Sequence, residues 1–124
     1  MTNLIIAFGA FNAFLAVGAG AFGAHGLKNM LTPEYLAVFK TAADYQLIHG
    51  VGLILIGILS KDFASSYVSA SAMFMSIGIV LFCGSLYALT LSGTKWLGII
   101  TPIGGLCFLI AWLTLAFNFL VNKT

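Results

Sequence analysis

Seven polar side chains stand out because they lie within or beside otherwise apolar stretches of the sequence. They are His25, Tyr45, Gln46, His49, Ser85, Tyr87 and Thr101. An imidazole can act as a general base or bind a metal, whereas hydroxyl and amide groups can hold a polar ligand through hydrogen bonds. Polar groups inside a membrane are costly unless they are paired, and they often mark functional sites. These seven residues are therefore the candidates for a ligand-binding site or a polar cluster.

The residue types give little support to catalysis or to metal binding. His25 and His49 have no acidic residue placed close to both of them, and the sequence has no recognisable nucleophile motif. Cys83 and Cys107 form no Cys-x-x-Cys pair, so we interpret them as small apolar residues without a disulfide. We assign no catalytic residue, no metal site and no cofactor, and we expect no enzymatic activity.

One glycine motif resembles a nucleotide-binding sequence but lacks its context. Gly18-Ala19-Gly20-Ala21-Phe22-Gly23 fits the pattern G-x-G-x-x-G, with Asp44 about 20 residues further on. A dinucleotide site needs a strand before this pattern and a helix after it, whereas here the pattern ends a long apolar run. The motif therefore gives no reason to expect a bound nucleotide.

The composition is that of a membrane protein. Of the 124 residues, 61% are hydrophobic and only 6% are charged, whereas soluble domains carry about 25% charged residues. The net charge is +2, without arginine or a basic run, which argues against nucleic acid as a partner. A span needs about 20 residues, so the length allows four spans and leaves no room for a separate soluble domain.

Four apolar stretches predict four transmembrane helices within a single domain that covers residues 1–124. They lie at about residues 3–24, 44–59, 69–91 and 96–121. Charged residues, including Lys123 after the last stretch, lie at the ends of these runs, because charge is costly in hydrocarbon. The first run follows no basic residue and is too long for a signal-peptide core, so we expect it to be a retained span.

The connection before the second span is the longest and contains a helix start. Thr32-Pro33-Glu34 supplies an N-cap, a proline at the first helical position and an acidic residue in the first turn. No helix breaker follows before Gly50, so the second helix is predicted to run from Pro33 to Leu59. Because the other connections are short, neighbouring helices should be antiparallel. The predicted fold is an all-α, antiparallel four-helix transmembrane bundle with both termini on one side of the membrane.

This topology brings the polar candidates to one half of the bilayer, because they lie near the four helix ends that meet at one membrane face. At a rise of about 1.5 Å per residue, His49, Tyr87 and Thr101 have similar depths. We therefore predict that His49 hydrogen-bonds, directly or through one water, to a polar group of the third or fourth span, with Tyr87 and Thr101 as the favoured partners. Asn12, near mid-depth, and Asn118 are placed outside the cluster. Whether the cluster locks the bundle or binds a ligand stays open.

Small residues are predicted to let the helices pack closely, since helices in lipid associate through close packing and hydrogen bonds. The predicted helix-packing residues are Ala16, Gly20, Ala24, Gly84, Gly98, Pro102, Gly104 and Gly105. Pro102 lacks an amide proton and clashes with the carbonyl of Gly98, so we expect a kink or break near residues 98–102. Small residues suit contacts within a bundle and contacts between copies, so homo-oligomerisation stays open.

Motifs in four parts of the chain resemble a known family. They are Gly20-Ala21-Phe22-Gly23-Ala24-His25, Tyr45-Gln46-x-x-His49, Phe82-x-Gly84-Ser85-Leu86-Tyr87 and Thr101-Pro102-x-Gly104-Gly105. The chain is similar over nearly its whole length to domain-of-unknown-function family 423, small bacterial membrane proteins related to the transmembrane protein 256 group. The resemblance implies a multi-pass protein of the bacterial inner (plasma) membrane with no assigned activity, and it implies no catalytic residue.

Three functions are compatible with these observations. The first is a non-enzymatic binding or assembly module whose polar cluster takes a lipid headgroup or a small amphiphile. The second is a transporter or channel subunit acting as a homo-oligomer, although no acidic residue lies at mid-membrane to couple ions. The third is an intramembrane enzyme that uses a histidine. Membrane lipid is the expected partner, and the sequence identifies no protein partner.

Overall fold

The computed structural model describes residues 1–122, so Lys123 lies outside the described residues. Four helices are long and apolar enough to cross a membrane: α1 (Thr2–Gly26), α2 (Pro33–Asp62), α3 (Ser66–Ser92) and α4 (Lys95–Val121). Each predicted apolar stretch falls inside one of these helices. The predicted extension of the second span is present, because α2 begins at Pro33.

Local side-chain signals determine where the helices begin and end. Thr32 Oγ1 accepts a hydrogen bond of 3.1 Å from the amide of Tyr35, as expected of an N-cap. Ser65 begins α3 in the same way and accepts from the amide of Val68 at 3.1 Å. Gly93 ends α3 with φ at 72°, a left-handed conformation that glycine adopts without strain. The turn at Gly93 lets α4 return at once beside α3.

The helices pack antiparallel, with α2 and α3 at the centre. The start of α1 lies beside the end of α2, where Thr2 and Ser60 are hydrogen-bonded at 2.9 Å. The end of α3 lies beside the start of α4, where Ser85 and Thr101 are bonded at 2.6 Å. Half of the most apolar stretch of α2 is buried inside the protein, against 17% of the corresponding stretches of α1 and α4. The fold is therefore the expected antiparallel bundle, with α1 and α4 at its edges.

Glycines allow the closest helix contacts. A Cβ atom added at Gly9 would lie 2.6 Å from the carbonyl oxygen of Gly50, so α1 and α2 touch there backbone to backbone. A Cβ atom added at Gly104 would lie 2.7 Å from Cα of Phe82, so the backbones of α3 and α4 are also in contact. Gly50 is not among the predicted packing residues, because single glycines also occur in membrane helices without a packing role.

The other predicted packing residues differ in how tightly they are enclosed. Ala16 and Ala24 are buried, whereas Pro102 is exposed. Cβ atoms added at Gly20, Gly98 and Gly105 would make ordinary contacts of 3.6–3.7 Å or more with Ala43, Leu89 and Phe82 respectively. Gly84 requires a correction: a Cβ atom there would meet nothing within 4 Å. Because its neighbours on both sides are buried, the helical turn directs Gly84 away from the bundle.

Three irregular segments interrupt the helices. A π-helical turn lies in α1 at Ala19–Gly23, and another lies in α3 at Ile79–Cys83. The helix α4 begins as a 3-10 helix, Lys95–Ile99, and becomes α-helical at Thr101. The amide of Ile100 bonds to the carbonyl of Leu97, three residues back. The regular bonding pattern is thus broken within the range predicted from Pro102.

Candidate functional site

The seven candidate side chains do not form a single cluster. Two bond into a chain with Asn12, two form a separate pair, two stack beside Phe108, and one stands apart. The members are, in that order, Gln46 and Tyr87; Ser85 and Thr101; Tyr45 and His49; and His25. These groups have different surroundings, so each must be considered separately.

The first group is a chain of hydrogen bonds that crosses α1, α2 and α3. The hydroxyl of Tyr87 donates to Gln46 Oε1 at 2.7 Å, and Gln46 Nε2 donates to Asn12 Oδ1 at 3.0 Å. Asn12 Nδ2 in turn donates to the carbonyl of Phe8 at 2.9 Å. The prediction that Asn12 lies outside the cluster is wrong, because the close approach of α1 to α2 brings its amide to Gln46.

The second group joins α3 to the first α-helical turn of α4, which begins at Thr101. Ser85 and Thr101 share a hydrogen bond of 2.6 Å between their hydroxyl groups. Ser85 also lies 3.0 Å from the carbonyl of Phe82, which accepts its proton when the hydroxyl turns that way. Both hydroxyl groups are therefore hydrogen-bonded within the protein, at the interface between these helices.

The third group centres on His49, whose two ring nitrogens are both used inside the protein. The indole of Trp112 can only donate, so His49 Nε2 accepts from Trp112 Nε1 at 3.1 Å. The proton of the neutral ring then lies on Nδ1, which donates to the carbonyl of Tyr45 at 2.7 Å. The imidazole also stacks on Phe108, with ring centroids 3.6 Å apart and planes 11° apart.

The partner of His49 lies on the fourth helix, as predicted, but its identity differs from the prediction. Tyr87 and Thr101, the favoured candidates, are bonded to Gln46 and Ser85 instead. A signal for Trp112 was present in the sequence. Tryptophan is typical of membrane interfaces, where water can satisfy its N–H group, so an indole well inside an apolar span needs a partner from the protein.

A glycine gives the indole room to reach His49. A Cβ atom added at Gly52 would lie 3.1 Å from Cη2 of Trp112 and 2.9 Å from the sulfur of Met75. Gly52 follows His49 by about one turn on the same face of α2. The absence of a side chain at Gly52 therefore lets Trp112 lie across α2 and bond to the imidazole.

His25 does not join any of these groups. It is exposed in the last turn of α1, whereas the preceding residue, Ala24, is buried. The π-helical turn Ala19–Gly23 precedes it. One extra residue in a turn shifts the face of the following residues by about 100°, since an α-helix has about 3.6 residues per turn. His25 was predicted to belong to the cluster from its position along the chain alone. The direction of its side chain around the helix keeps it apart from the other candidates.

A groove of about 880 Å³ lies beside His49, between α2 and α4. It exists because α4 packs along α3 and reaches α2 mainly through the side chains of Phe108 and Trp112. Its lining consists of Asp44, Tyr45, Ile48, His49, Phe82, Pro102, Gly105, Leu106, Phe108, Leu109 and Trp112. One side is open to the surroundings, since Leu109 is 68% exposed.

The groove lies across the edge of the hydrocarbon region. The helical rise from Asp44 to Lys61 is about 26 Å, close to a hydrocarbon thickness of about 30 Å, so Asp44 lies at a polar edge. Trp112 bonds to His49, which follows Asp44 on α2 with a rise of about 8 Å, so the indole lies about half a leaflet deeper than the carboxylate. The groove therefore runs from a carboxylate near the membrane face to an aromatic end inside the same leaflet.

The half of the bundle near the termini also contains polar contacts, which were not predicted. A cavity of about 330 Å³ lies there between α1 and α3, and its lining includes Thr2, Ser60, Ser69 and Ser76. Thr2 and Ser60 bond to each other, and Ser76 donates to the carbonyl of Ala72 at 2.8 Å. Small hydroxyl residues escaped notice in the sequence because they occur within apolar helices without disturbing the hydrophobic pattern.

Comparisons with known proteins place the chain in a family. The family model described as "Protein of unknown function (DUF423)" matches residues 19–105, a range that contains the four motifs on which the resemblance rests. A UPF0382 membrane protein of Staphylococcus saprophyticus is 49% identical over 113 residues, which are 91% of this chain and 93% of that protein. The UPF0382 membrane protein YwdK of Bacillus subtilis is 43% identical over 112 residues, 90% of this chain and 91% of its own.

No solved structure matches the fold of this chain. The relatives are bacterial and are named as membrane proteins, in agreement with the four long apolar helices. The chain is therefore a multi-pass bacterial membrane protein, and it belongs to the DUF423 family, for which no activity is assigned.

Proposed function

We propose that this protein is a non-enzymatic membrane protein that binds an amphiphile in the groove between α2 and α4. The observation that carries the proposal is the lining of that groove, which joins a carboxylate near the membrane face to an apolar and aromatic inner part. An amphiphile needs that combination, a polar site at the interface and an apolar channel that continues into the hydrocarbon. The acyl chain lies along Phe82, Phe108 and Leu109, and the polar end lies near Asp44.

The surroundings of His49 support binding rather than catalysis. A general base needs a free nitrogen lone pair within hydrogen-bonding reach of the substrate. The lone pair of His49 Nε2 is directed at the indole N–H, Nδ1 is directed at a backbone carbonyl, and one ring face is covered by Phe108. His49 thus serves as a wall of the groove that holds Trp112 in place.

The polar chain through Gln46 supports a structural role for the inner part of the cluster. Its amide groups and the Tyr87 hydroxyl bond to one another within the protein, so they are not directed at a ligand. This arrangement also disfavours transport through the bundle centre, because amide side chains do not carry protons and the one hydroxyl of the chain, that of Tyr87, donates its proton to Gln46.

Native mass spectrometry of the purified protein tests the proposal. The probes are phosphatidylethanolamine and phosphatidylglycerol with the same acyl chains, added to protein from which lipid has been removed. The wild type is expected to retain one lipid. Gly105→Leu should lower this retention, because a leucine side chain fits beside Phe82, where a Cβ atom makes only an ordinary contact of 3.7 Å, and then fills the groove.

Gly84→Leu is the matched control, since Gly84 is a membrane-helix glycine outside the groove lining with open space around it. It should retain lipid as the wild type does. Thermal unfolding establishes that both variants are folded. Equal retention by the two variants, or no retained lipid in the wild type, would contradict binding in the groove.

A further inference from the structure

We infer that the groove selects a phospholipid whose headgroup carries a primary amine. This inference rests on the proposed function and adds to it the chemistry of the ligand. Among the described residues that line the groove, Asp44 alone is charged, and we call the part of the groove beside it the mouth. An acidic side chain at that depth attracts a cationic group and repels a second negative charge.

The position of Asp44 makes its carboxylate available to a headgroup. Asp44 is exposed and lines the groove. A carboxylate accepts hydrogen bonds only, and charge-assisted bonds from an ammonium group are about twice as strong as neutral ones. A primary ammonium offers three N–H donors, whereas a quaternary ammonium offers none. The mouth of the groove therefore favours an amine over a choline or a glycerol headgroup.

The ring of Tyr45 adds to this preference for a cation. It lines the groove directly after Asp44 and packs against Phe82, with ring centroids 4.7 Å apart. The face of an aromatic ring attracts a cation placed over it. The deeper lining is apolar or, as for Trp112 and His49, already hydrogen-bonded within the protein, which suits an acyl chain.

Competition between headgroups tests the inference. Phosphatidylethanolamine, phosphatidylglycerol and phosphatidylcholine with identical acyl chains are offered in equal amounts, and the bound lipid is measured by native mass spectrometry. The wild type should prefer phosphatidylethanolamine over each of the others by about tenfold, the effect expected of one charge-assisted hydrogen bond. Asp44→Asn should abolish that preference, and Asp44→Glu should preserve it.

Lys40→Gln is the matched control for net charge. Lys40 is exposed about one turn further out on the same face of α2 and does not line the groove. It should keep the preference for the amine. If Lys40→Gln abolishes the preference as Asp44→Asn does, or if Asp44→Asn keeps it, the assignment to the Asp44 carboxylate is wrong.

The two proposals can fail separately. Equal binding of the three headgroups by the wild type, together with a loss of all three in Gly105→Leu, would overturn amine selection and leave the groove as a lipid site. Retention that Gly105→Leu does not change would overturn lipid binding in the groove, and amine selection with it.

Discussion

Gln46 and His49 lie about one turn apart on α2 and are almost equally buried, with exposed fractions of 6% and 5%, yet they belong to different regions of the molecule. Gln46 points into the seam between three helices, where both ends of its amide bond to other side chains. His49 forms part of the wall of an open groove, where its nitrogens bond to Tyr45 and Trp112.

The difference between the seam and the groove comes from how closely the helices approach. At the seam, α1 and α2 touch through glycine backbones, so no space remains. At the groove, α4 is held against α3 and meets α2 through large aromatic side chains. A buried polar residue thus indicates a binding site only where the adjacent helices leave space. We expect changes in the seam to lower stability and changes in the groove to affect lipid retention.

The largest effect is expected from Gly104→Ala, which would disturb the contact that positions α4. The new methyl group would overlap the backbone of Phe82, which cannot move without separating α3 from α4. We expect the free energy of unfolding to fall by about 3 kcal/mol, the upper part of the usual range for overpacking. Reversible unfolding in mixed micelles measures it. Gly105→Ala is the control, and a similar loss in both variants would disprove the proposed contact.

Gln46→Leu should have the next largest effect and should act on the seam alone. It removes two hydrogen bonds and leaves the Tyr87 hydroxyl and the Asn12 carbonyl without their partner. Hydrogen bonds between membrane helices contribute about 0.6 kcal/mol each on average, and unpaired groups add to the cost, so we expect a loss of about 1–2 kcal/mol.

A double-mutant cycle sharpens this result. Gln46→Leu combined with Tyr87→Phe should cost less than the sum of the single changes, because both remove the same bond. Lipid retention should be unchanged in all three variants. Additive losses, or a loss of bound lipid, would show that the seam and the groove are not separate.

Trp112→Phe should have a smaller effect on stability and should act on the groove. It removes one hydrogen bond to His49 Nε2 but keeps an aromatic ring in the wall. We expect a loss of about 0.6 kcal/mol, measured by the same unfolding experiment. Retained lipid should decrease as well, since the ring is no longer fixed by the imidazole. A stability loss as large as that of Gln46→Leu would contradict the distinction between the two regions.

The smallest effect is expected from Gly84→Ala. This glycine has open space around it, so the methyl group should contact only the surroundings of the bundle. We expect a change within about 0.5 kcal/mol, as for substitutions away from packed features. The same unfolding measurement provides the value, and a loss comparable to that of Gly104→Ala would indicate that Gly84 packs against a second copy of the chain.

Most of the fold was predictable from the sequence because it depends on position along the chain. Four apolar runs bounded by charges specify four helices, and Thr32-Pro33-Glu34 specifies where α2 begins. Short connections make neighbours antiparallel. Depth in the membrane then follows from the rise per residue, which explains why a bonding partner of His49 was correctly expected on the third or fourth span.

The direction in which each side chain points was decided only by the tertiary structure. The π-helical turn in α1 changes the face of the residues that follow it, so His25 is exposed in the last turn of α1. Gly84 and Gly104 look alike in the sequence, but only Gly104 contacts another helix. The direction of a side chain around a helix depends on the turn angles of the residues before it and on packing against neighbouring helices. Neither can be read from this sequence, because apolar residues are spread nearly evenly around each predicted helix.

The pairing of the polar groups has the same origin. The sequence determined that polar side chains of four segments would lie in one half of the bundle, because their depths follow from chain position. Because α1 approaches α2 closely through Gly9 and Gly50, Gln46 bonds to Asn12. Because Gly52 leaves space for the indole, His49 bonds to Trp112. Hydrogen bonds form only between groups within about 3 Å of each other. The packing of the helices, which the sequence does not show, therefore determined the partners and left the groove open.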